Sequence, residues 1–239
     1  MVSAQPFLEF GAQRRRSGVA QFSDGRDSHV HARRFATLPP PSVLKGDVQQ
    51  LALFGSGERV FVDDESGKVA YYPAVFSAAE SKRLFEHFSA ELEWVQESMW
   101  MYDHTVTVPR LIARFSPSQP MPAEVAAVHA RVEQYLRTSF NGISFQYYRD
   151  ANDSVAWHSD HTEDLIENAI VAVVSLGAVR EMHVRSKARP RRTFQCALEP
   201  GSIFFMGGRA QQFWEHHIPK VSRAISPRIS IALRQRRLA

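Results

Sequence analysis

His158 and Asp160 stand two residues apart in the segment Val155-Ala156-Trp157-His158-Ser159-Asp160. In an extended chain such positions project from one face, so an imidazole nitrogen and a carboxylate oxygen can reach one ion. A third donor can come from Gln212-Phe213-Trp214-Glu215-His216-His217-Ile218-Pro219. His216 and His217 point to opposite faces if that segment is extended, so one of the two ligates. Two histidines and a carboxylate on one side of a metal leave about three coordination positions open, the facial arrangement with which non-haem Fe(II) carries out O2 chemistry. The same donors also suit zinc. Near the C-terminus, Pro227-Arg228-Ile229-Ser230-Ile231-Ala232-Leu233-Arg234 reads as a strand in which Arg228, Ser230 and Arg234 share a face. A guanidinium turned into a protein interior needs an anion, and a dicarboxylate matches it bidentately. Without such a partner a buried arginine is costly.

Donors this far apart in the chain need rigid elements to bring them together. Short runs rich in Val, Ile, Phe and Tyr predict strands over Ile143 to Tyr148, Ile170 to Leu176, Met182 to Arg185, Phe194 to Leu198, Ser202 to Met206 and Arg228 to Leu233. Gly177, Pro190, Pro200-Gly201, Gly207-Gly208, Pro219 and Pro227 punctuate them. Two helices precede most of these strands. Ser77-Ala78-Ala79-Glu80 is a capping box, after which Leu84, Phe85, Phe88 and Leu92 recur at helical spacing. From Pro122, residues Val125, Val128, Val132, Tyr135 and Leu136 line one face of a second helix that ends before Asn141-Gly142. Many short strands without alternating long helices predict an all-β core, a sandwich or jelly roll, with flanking helices on one outer face.

The chain has 239 residues, 44% of them hydrophobic, which suffices for one sizeable core. Residues 1–50 show no sustained period and collect Arg14-Arg15-Arg16, Arg33-Arg34 and Pro39-Pro40-Pro41, so a disordered or extended basic tail is expected before a single domain over 51–239. The longest apolar run, Ala169 to Val179, is about half of the ~20 residues a bilayer span needs, so no membrane helix is expected. One cysteine, Cys196, forms no internal disulfide, and no secretory signal is evident. A cytoplasmic monomer is expected, nuclear or organellar in a eukaryote. Charge is unevenly spread: residues 180–239 hold thirteen Lys/Arg against three Asp/Glu, a balance of +10 within an overall +4. The run Arg185, Lys187, Arg189, Arg191 and Arg192 is therefore a candidate phosphate-binding strip.

Taken together, these residues resemble the AlkB family of Fe(II)- and 2-oxoglutarate-dependent dioxygenases. The resemblance covers roughly Val69 to Leu238 and rests on five motifs in order: Tyr148 through His158-Ser159-Asp160; Ser175-Leu176-Gly177-Ala178-x-Arg180; Gly201-Ser202 with Met206-x-Gly208; Gln211 to His216-x-Ile218-Pro219; and Arg228-x5-Arg234. The family fold is a double-stranded β-helix. By resemblance His158, Asp160 and His216 would ligate Fe(II), and His217 would occupy a variable position. Arg228 would pair with the distal carboxylate of 2-oxoglutarate, with Gln146, Tyr148 and Ser230 in the cosubstrate pocket and Arg234 near its other carboxylate or the metal ligands. Met99 to Phe115 looks like the substrate-recognition region, in which Tyr102 and Phe115 would stack on a base, Pro109-Arg110 would begin a strand, and Glu163 and Arg180 would add polar contacts. The chain departs from the family pattern at Gln146, Ala151, His161 and Ser230, all away from the iron ligands. The implied reaction consumes O2 and 2-oxoglutarate, yields succinate and CO2, and demethylates alkylated DNA, with RNA second, releasing formaldehyde. Rival readings are the same oxygenase acting on a protein, lipid or small molecule, a non-catalytic nucleic-acid binder, and a zinc hydrolase, against which the paired arginines weigh.

Overall fold

The computed structural model describes residues 57–101, 103–115 and 120–237, so the expected tail and Tyr102 lie outside the described residues. All of these belong to one compact unit, Asp47–Ala239. Among the described residues twelve strands form two antiparallel sheets. The larger, in the order β1-β2-β10-β7-β12-β5-β4-β3, contains β1 (Arg59–Asp64), β2 (Gly67–Tyr72), β3 (Val95–Met101), β4 (His104–Phe115), β5 (Gly142–Tyr148), β7 (Val171–Gly177), β10 (Ile203–Gly207) and β12 (Arg228–Arg234). The smaller, in the order β6-β11-β8-β9, contains β6 (Val155–His158), β8 (Arg180–Ser186), β9 (Thr193–Leu198) and β11 (Trp214–Ile218). This is the expected jelly roll. Every predicted strand is present, with ends moved by one or two residues.

The expected helices are α1 (Ala78–Glu91) and α2 (Ala123–Leu136). In the α1 capping box Ser77 Oγ accepts from the Glu80 N–H at 3.2 Å, and the Glu80 carboxylate accepts from the Ser77 N–H at 2.8 Å. Leu84 and Phe88 of α1 and Val125, Val128 and Val132 of α2 are buried on the larger sheet. Tyr135, expected on that buried face, is 45% exposed and meets Tyr72 edge-on.

Alternation along three central strands divides the molecule into two layers. Ile229, Ile231 and Leu233 of β12, Ile143 and Phe145 of β5, and Ala172, Val174 and Leu176 of β7 pack under the helices. The intervening residues face the smaller sheet, and there Tyr148, Val171, Val173 and Ala232 meet Met182, Val184, Trp214 and Ile218. Between those apolar contacts the inner face carries Ser144, Gln146, Ser175, Arg228, Ser230 and Arg234. Polar groups on the inner side of a jelly roll are costly unless they are paired or serve a ligand, so the interior is where chemistry is to be sought.

One strand boundary differs from expectation. β4 begins at His104, placing Pro109 inside it. Proline has no N–H for the ladder, and the β3–β4 register shifts here, with Gln96 opposite Leu111 and Ser98 opposite Thr107. The Gln96 side chain donates instead to the Val108 and Arg110 carbonyls, at 2.5 and 3.2 Å.

Candidate active site

His158 ends β6 and His216 is central in β11, and antiparallel pairing sets them directly opposite each other with ring centroids 4.3 Å apart. Asp160 follows two residues after His158. One ligand atom from each of His158, Asp160 and His216 lies within 4.8 Å of the others, so one ion can reach all three. His217 is stacked on Trp157 with ring centroids 3.9 Å apart, so of the two adjacent histidines it is His216 that joins His158 and Asp160.

The surroundings prepare these groups for a cation. His158 Nδ1 is 2.9 Å from the Ala156 carbonyl; donating there leaves Nε2 free as a ligand. Asp160 is gripped by Arg234 through Nε at 2.8 Å and Nη2 at 3.2 Å, and its backbone N–H donates to the Gln211 side-chain oxygen at 2.8 Å. Burial would raise the Asp160 carboxyl, but Arg234 and then the two histidines hold it below the usual range, so it is ionised. Burial pushes His216 down to about 3, with His158 adding to the effect, and lowers His158 as well. Both rings are thus neutral ligands near pH 7.

A pH dependence follows. In the unfolded chain His216 takes up a proton near its ordinary 6.5, whereas folded it resists down to about 3. The unfolded state therefore binds more protons in that window, and stability falls as pH drops through it. Metal-free protein is expected to show a lower urea midpoint at pH 5 than at pH 7.5, with a smaller fall in His216→Asn. The same fall in both proteins would show that His216 does not contribute.

Arg228 opens β12 opposite Tyr148 of β5 and Gly177 of β7. Its side chain is fully buried, and Nη2 donates to Ser175 Oγ at 3.0 Å. Among the described residues Nε and Nη1 have no partner, and the guanidinium stands 5.2 Å from the Tyr148 ring centroid. Burial lowers its pKa to about 10, which still leaves it charged at neutral pH. Ser230 and Gln146 sit opposite each other on the same inner face, with Gln146 Nε2 donating to Ser144 Oγ at 3.0 Å and Arg234 Nη1 donating to the same hydroxyl at 2.9 Å. A buried cation with two donor atoms unpaired among the described residues, on the same strand as the Arg234 that grips Asp160, fits a bidentate carboxylate.

A family model of the 2OG-Fe(II) oxygenase superfamily matches residues 68–239. The chain belongs to that superfamily. It is a dioxygenase that uses Fe(II) and 2-oxoglutarate, and its AlkB-like motifs agree with its curated relatives. Among these, the alpha-ketoglutarate-dependent dioxygenase alkB homolog 3 of Homo sapiens is 24% identical over 231 residues, 87% of this chain and 81% of that protein. The DNA oxidative demethylase ALKBH2 of Mus musculus is 25% identical over 187 residues, 69% of this chain and 78% of that protein. Of solved structures, the non-heme alpha ketoglutarate dependent epimerase SnoN from nogalamycin biosynthesis superposes with a TM-score of 0.53 at 17% identity, over 71% of this chain and 77% of that one, a likeness of fold.

Other expected site residues of the oxygenase lie elsewhere. Phe115, expected to stack on a base, packs edge-on against Phe145 in the helix-covered layer, where its alternation in β4 places it. Arg180, expected to touch substrate, is 2% exposed and committed to backbone carbonyls. Glu163 is exposed in a single 3-10 turn, Thr162–Asp164, and meets His161 at 3.0 Å. The basic run is largely paired within the fold: Arg185 and Arg191 share Glu215 at 2.7 and 2.9 Å, and Arg192 holds Asp64 at 2.8 Å. Arg189 is exposed and forms no ion pair among the described residues. Sequence reasoning named Gln211 only as the start of a motif and missed its contact with the Asp160 N–H, and it missed Ser144, which accepts from Arg234, and Trp100, 71% exposed on the edge strand β3. Alternation could have flagged Trp100, two residues before Tyr102. No helix among the described residues is long and apolar enough to cross a membrane.

Proposed function

We propose that this oxygenase removes methyl groups oxidatively from alkylated bases of DNA, and secondarily RNA. The observations that carry the oxidative half are the His158, Asp160 and His216 cluster and, on the strand whose Arg234 grips Asp160, the buried Arg228 with Nε and Nη1 unpaired among the described residues. The nucleobase half is supported by the relatives named for DNA oxidative demethylation and by Trp100 standing free on the edge strand.

In this reading His158 and His216 donate ring nitrogens and Asp160 a carboxylate oxygen to Fe(II), and Arg234 holds Asp160 in one orientation. Arg228 forms the fork for the distal carboxylate of 2-oxoglutarate, with Tyr148, Gln146 and Ser230 around the chain of the cosubstrate. When bound, Fe(II), 2-oxoglutarate and O2 would supply hydroxylation of the N-methyl carbon, one oxygen atom of O2 entering the methyl group and the other the succinate formed with CO2. The hydroxymethyl product then releases formaldehyde and the restored base. His216 and Arg228 are buried at 7% and 0% exposure, and groups held out of bulk water interact more strongly with a charged ligand. The base must come out of its stack to reach the site. Trp100 offers a ring face for stacking at about 1–3 kcal/mol per base.

The paired basic run changes the expected salt response. Arg189→Ala should lower the slope of log affinity against log salt for a methylated oligonucleotide by about one. Arg185→Ala should lower it less, since that arginine is already neutralised by Glu215. Trp100→Ala should reduce formaldehyde release while sparing substrate-free 2-oxoglutarate turnover. The deciding assay measures formaldehyde and succinate from methylated oligonucleotides, proteins and fatty acids in parallel. Salt-insensitive binding, or turnover of a protein or lipid with none of any oligonucleotide, would transfer the function to the rival substrate class.

A further inference from the structure

Arg180 occupies a place where a charge is costly. It opens β8 on the inner side of the smaller sheet and is 2% exposed. The nearest candidate counter-ion, Asp153, is already taken: its carboxylate accepts Arg149 Nε at 2.7 Å, Arg149 Nη2 at 2.8 Å and the Arg149 backbone N–H at 2.8 Å. The Arg180 guanidinium meets backbone instead. Nη1 donates to the Asp150 carbonyl at 3.2 Å, and Nη2 donates to the carbonyls of Asp153 at 3.0 Å and Pro219 at 2.5 Å. Nε is buried without a partner among the described residues. Burial of a cation that touches no carboxylate is destabilising, so a gain elsewhere must offset it.

The three acceptors show where that gain lies. Asp150 to Asp153 is the turn that leaves Tyr148 at the end of β5 and leads into β6, which ends on His158. Pro219 follows directly on β11, which carries His216. β6 and β11 pair with His216 opposite His158 at one end and Ile218 opposite Val155 at the other. Arg180 ties the second end shut. Its guanidinium also stands 5.7 Å from the Tyr148 ring, the ring that Arg228 approaches to 5.2 Å.

The geometry points to Arg180 as a positioning residue that sets the two histidine-bearing strands and the Tyr148–Arg228 pocket in one fixed relation. This rests on the reading that those groups hold Fe(II) and 2-oxoglutarate. Two contributions are separable. The clamp needs a planar fork that donates to carbonyls arriving from two segments, which the single ammonium of lysine does not reproduce. The charge adds to the positive field around Tyr148, and lysine retains it.

The test is anaerobic titration of Fe(II) and of 2-oxoglutarate by calorimetry, with the visible absorption of the ternary complex as a second signal. It uses the full chain, Arg180→Met and Arg180→Lys, with metal-free melting points alongside. Arg180→Met should bind both Fe(II) and 2-oxoglutarate roughly 10–100-fold more weakly, the range for residues that orient metal ligands. Arg180→Lys should recover most of the 2-oxoglutarate affinity and little of the Fe(II) affinity. Folded variants that bind both ligands as the parent does would overturn the proposal, and so would a Lys variant that recovers both equally. If Arg180→Met does not fold, the Lys variant decides: unchanged Fe(II) affinity overturns it and selective loss sustains it. A parent that binds no 2-oxoglutarate would instead sink the cofactor reading on which this one stands.

Discussion

Alanine at His158, Asp160 or His216 is expected to abolish Fe(II) binding and all 2-oxoglutarate turnover, whereas His217→Ala keeps most of both. The three donors converge within 4.8 Å, so losing one leaves two protein ligands and an unanchored ion. The variants should nevertheless differ in stability. Asp160→Ala strands the part-buried Arg234, whose Nε and Nη2 both donate to that carboxylate, so it should cost on the order of 3–5 kcal/mol beyond the lost metal site. His216→Ala removes a buried neutral ring and should cost less in the metal-free protein. His217→Ala loses its stack on Trp157 at the outer surface and leaves the inner donors in place. Metal affinity measured anaerobically, turnover and urea midpoints together check the set. A dead His217→Ala protein with an active His216→Ala protein would reverse the assignment.

Arg228→Ala should nearly eliminate 2-oxoglutarate binding while leaving Fe(II) binding close to normal. The guanidinium is fully buried with two free donors, so truncation leaves a carboxylate facing a cavity without its cation. Such losses amount to about 2–5 kcal/mol, a factor of roughly thirty to several thousand in affinity. Arg228→Lys should fall between, since the charge survives and the fork does not. Calorimetric titration with 2-oxoglutarate checks both variants, and unchanged affinity in either case would remove Arg228 from the pocket. Selectivity is the second readout: the Ala variant should lose its preference for a dicarboxylate over a monocarboxylic keto acid, because the group it lacks reads the far end.

Some of this site was legible in the chain because its geometry is local. A strand period of two is a property of the backbone, so His158 with Asp160, and Arg228 with Ser230 and Arg234, share faces wherever the strands pack. The capping box at Ser77 and the apolar spacing of α1 and α2 are likewise short-range. The partners that decide what an arginine does are not. Arg180 finds carbonyls at Asp150, Asp153 and Pro219, from 27 to 39 residues away, and becomes a clamp instead of a substrate contact. Arg185 meets Glu215 across 30 residues and Arg192 meets Asp64 across 128, which converts an apparent phosphate strip into ion pairs.

The candidate donor set, the strand-rich core, the helix starts and the resemblance that names Fe(II) and 2-oxoglutarate all follow from residue type and short spacing. Tertiary structure decided which of two adjacent histidines faces inward, which face of β4 holds Phe115, and which cations are free. Those outcomes depend on register and on which distant segment supplies the opposite charge or the covering side chain. Shifting a strand's pairing by one residue exchanges its buried and exposed faces. Pro109 shows how such an offset arises: lacking an N–H, it interrupts the β3–β4 ladder, and the Gln96 side chain donates to the carbonyls on either side.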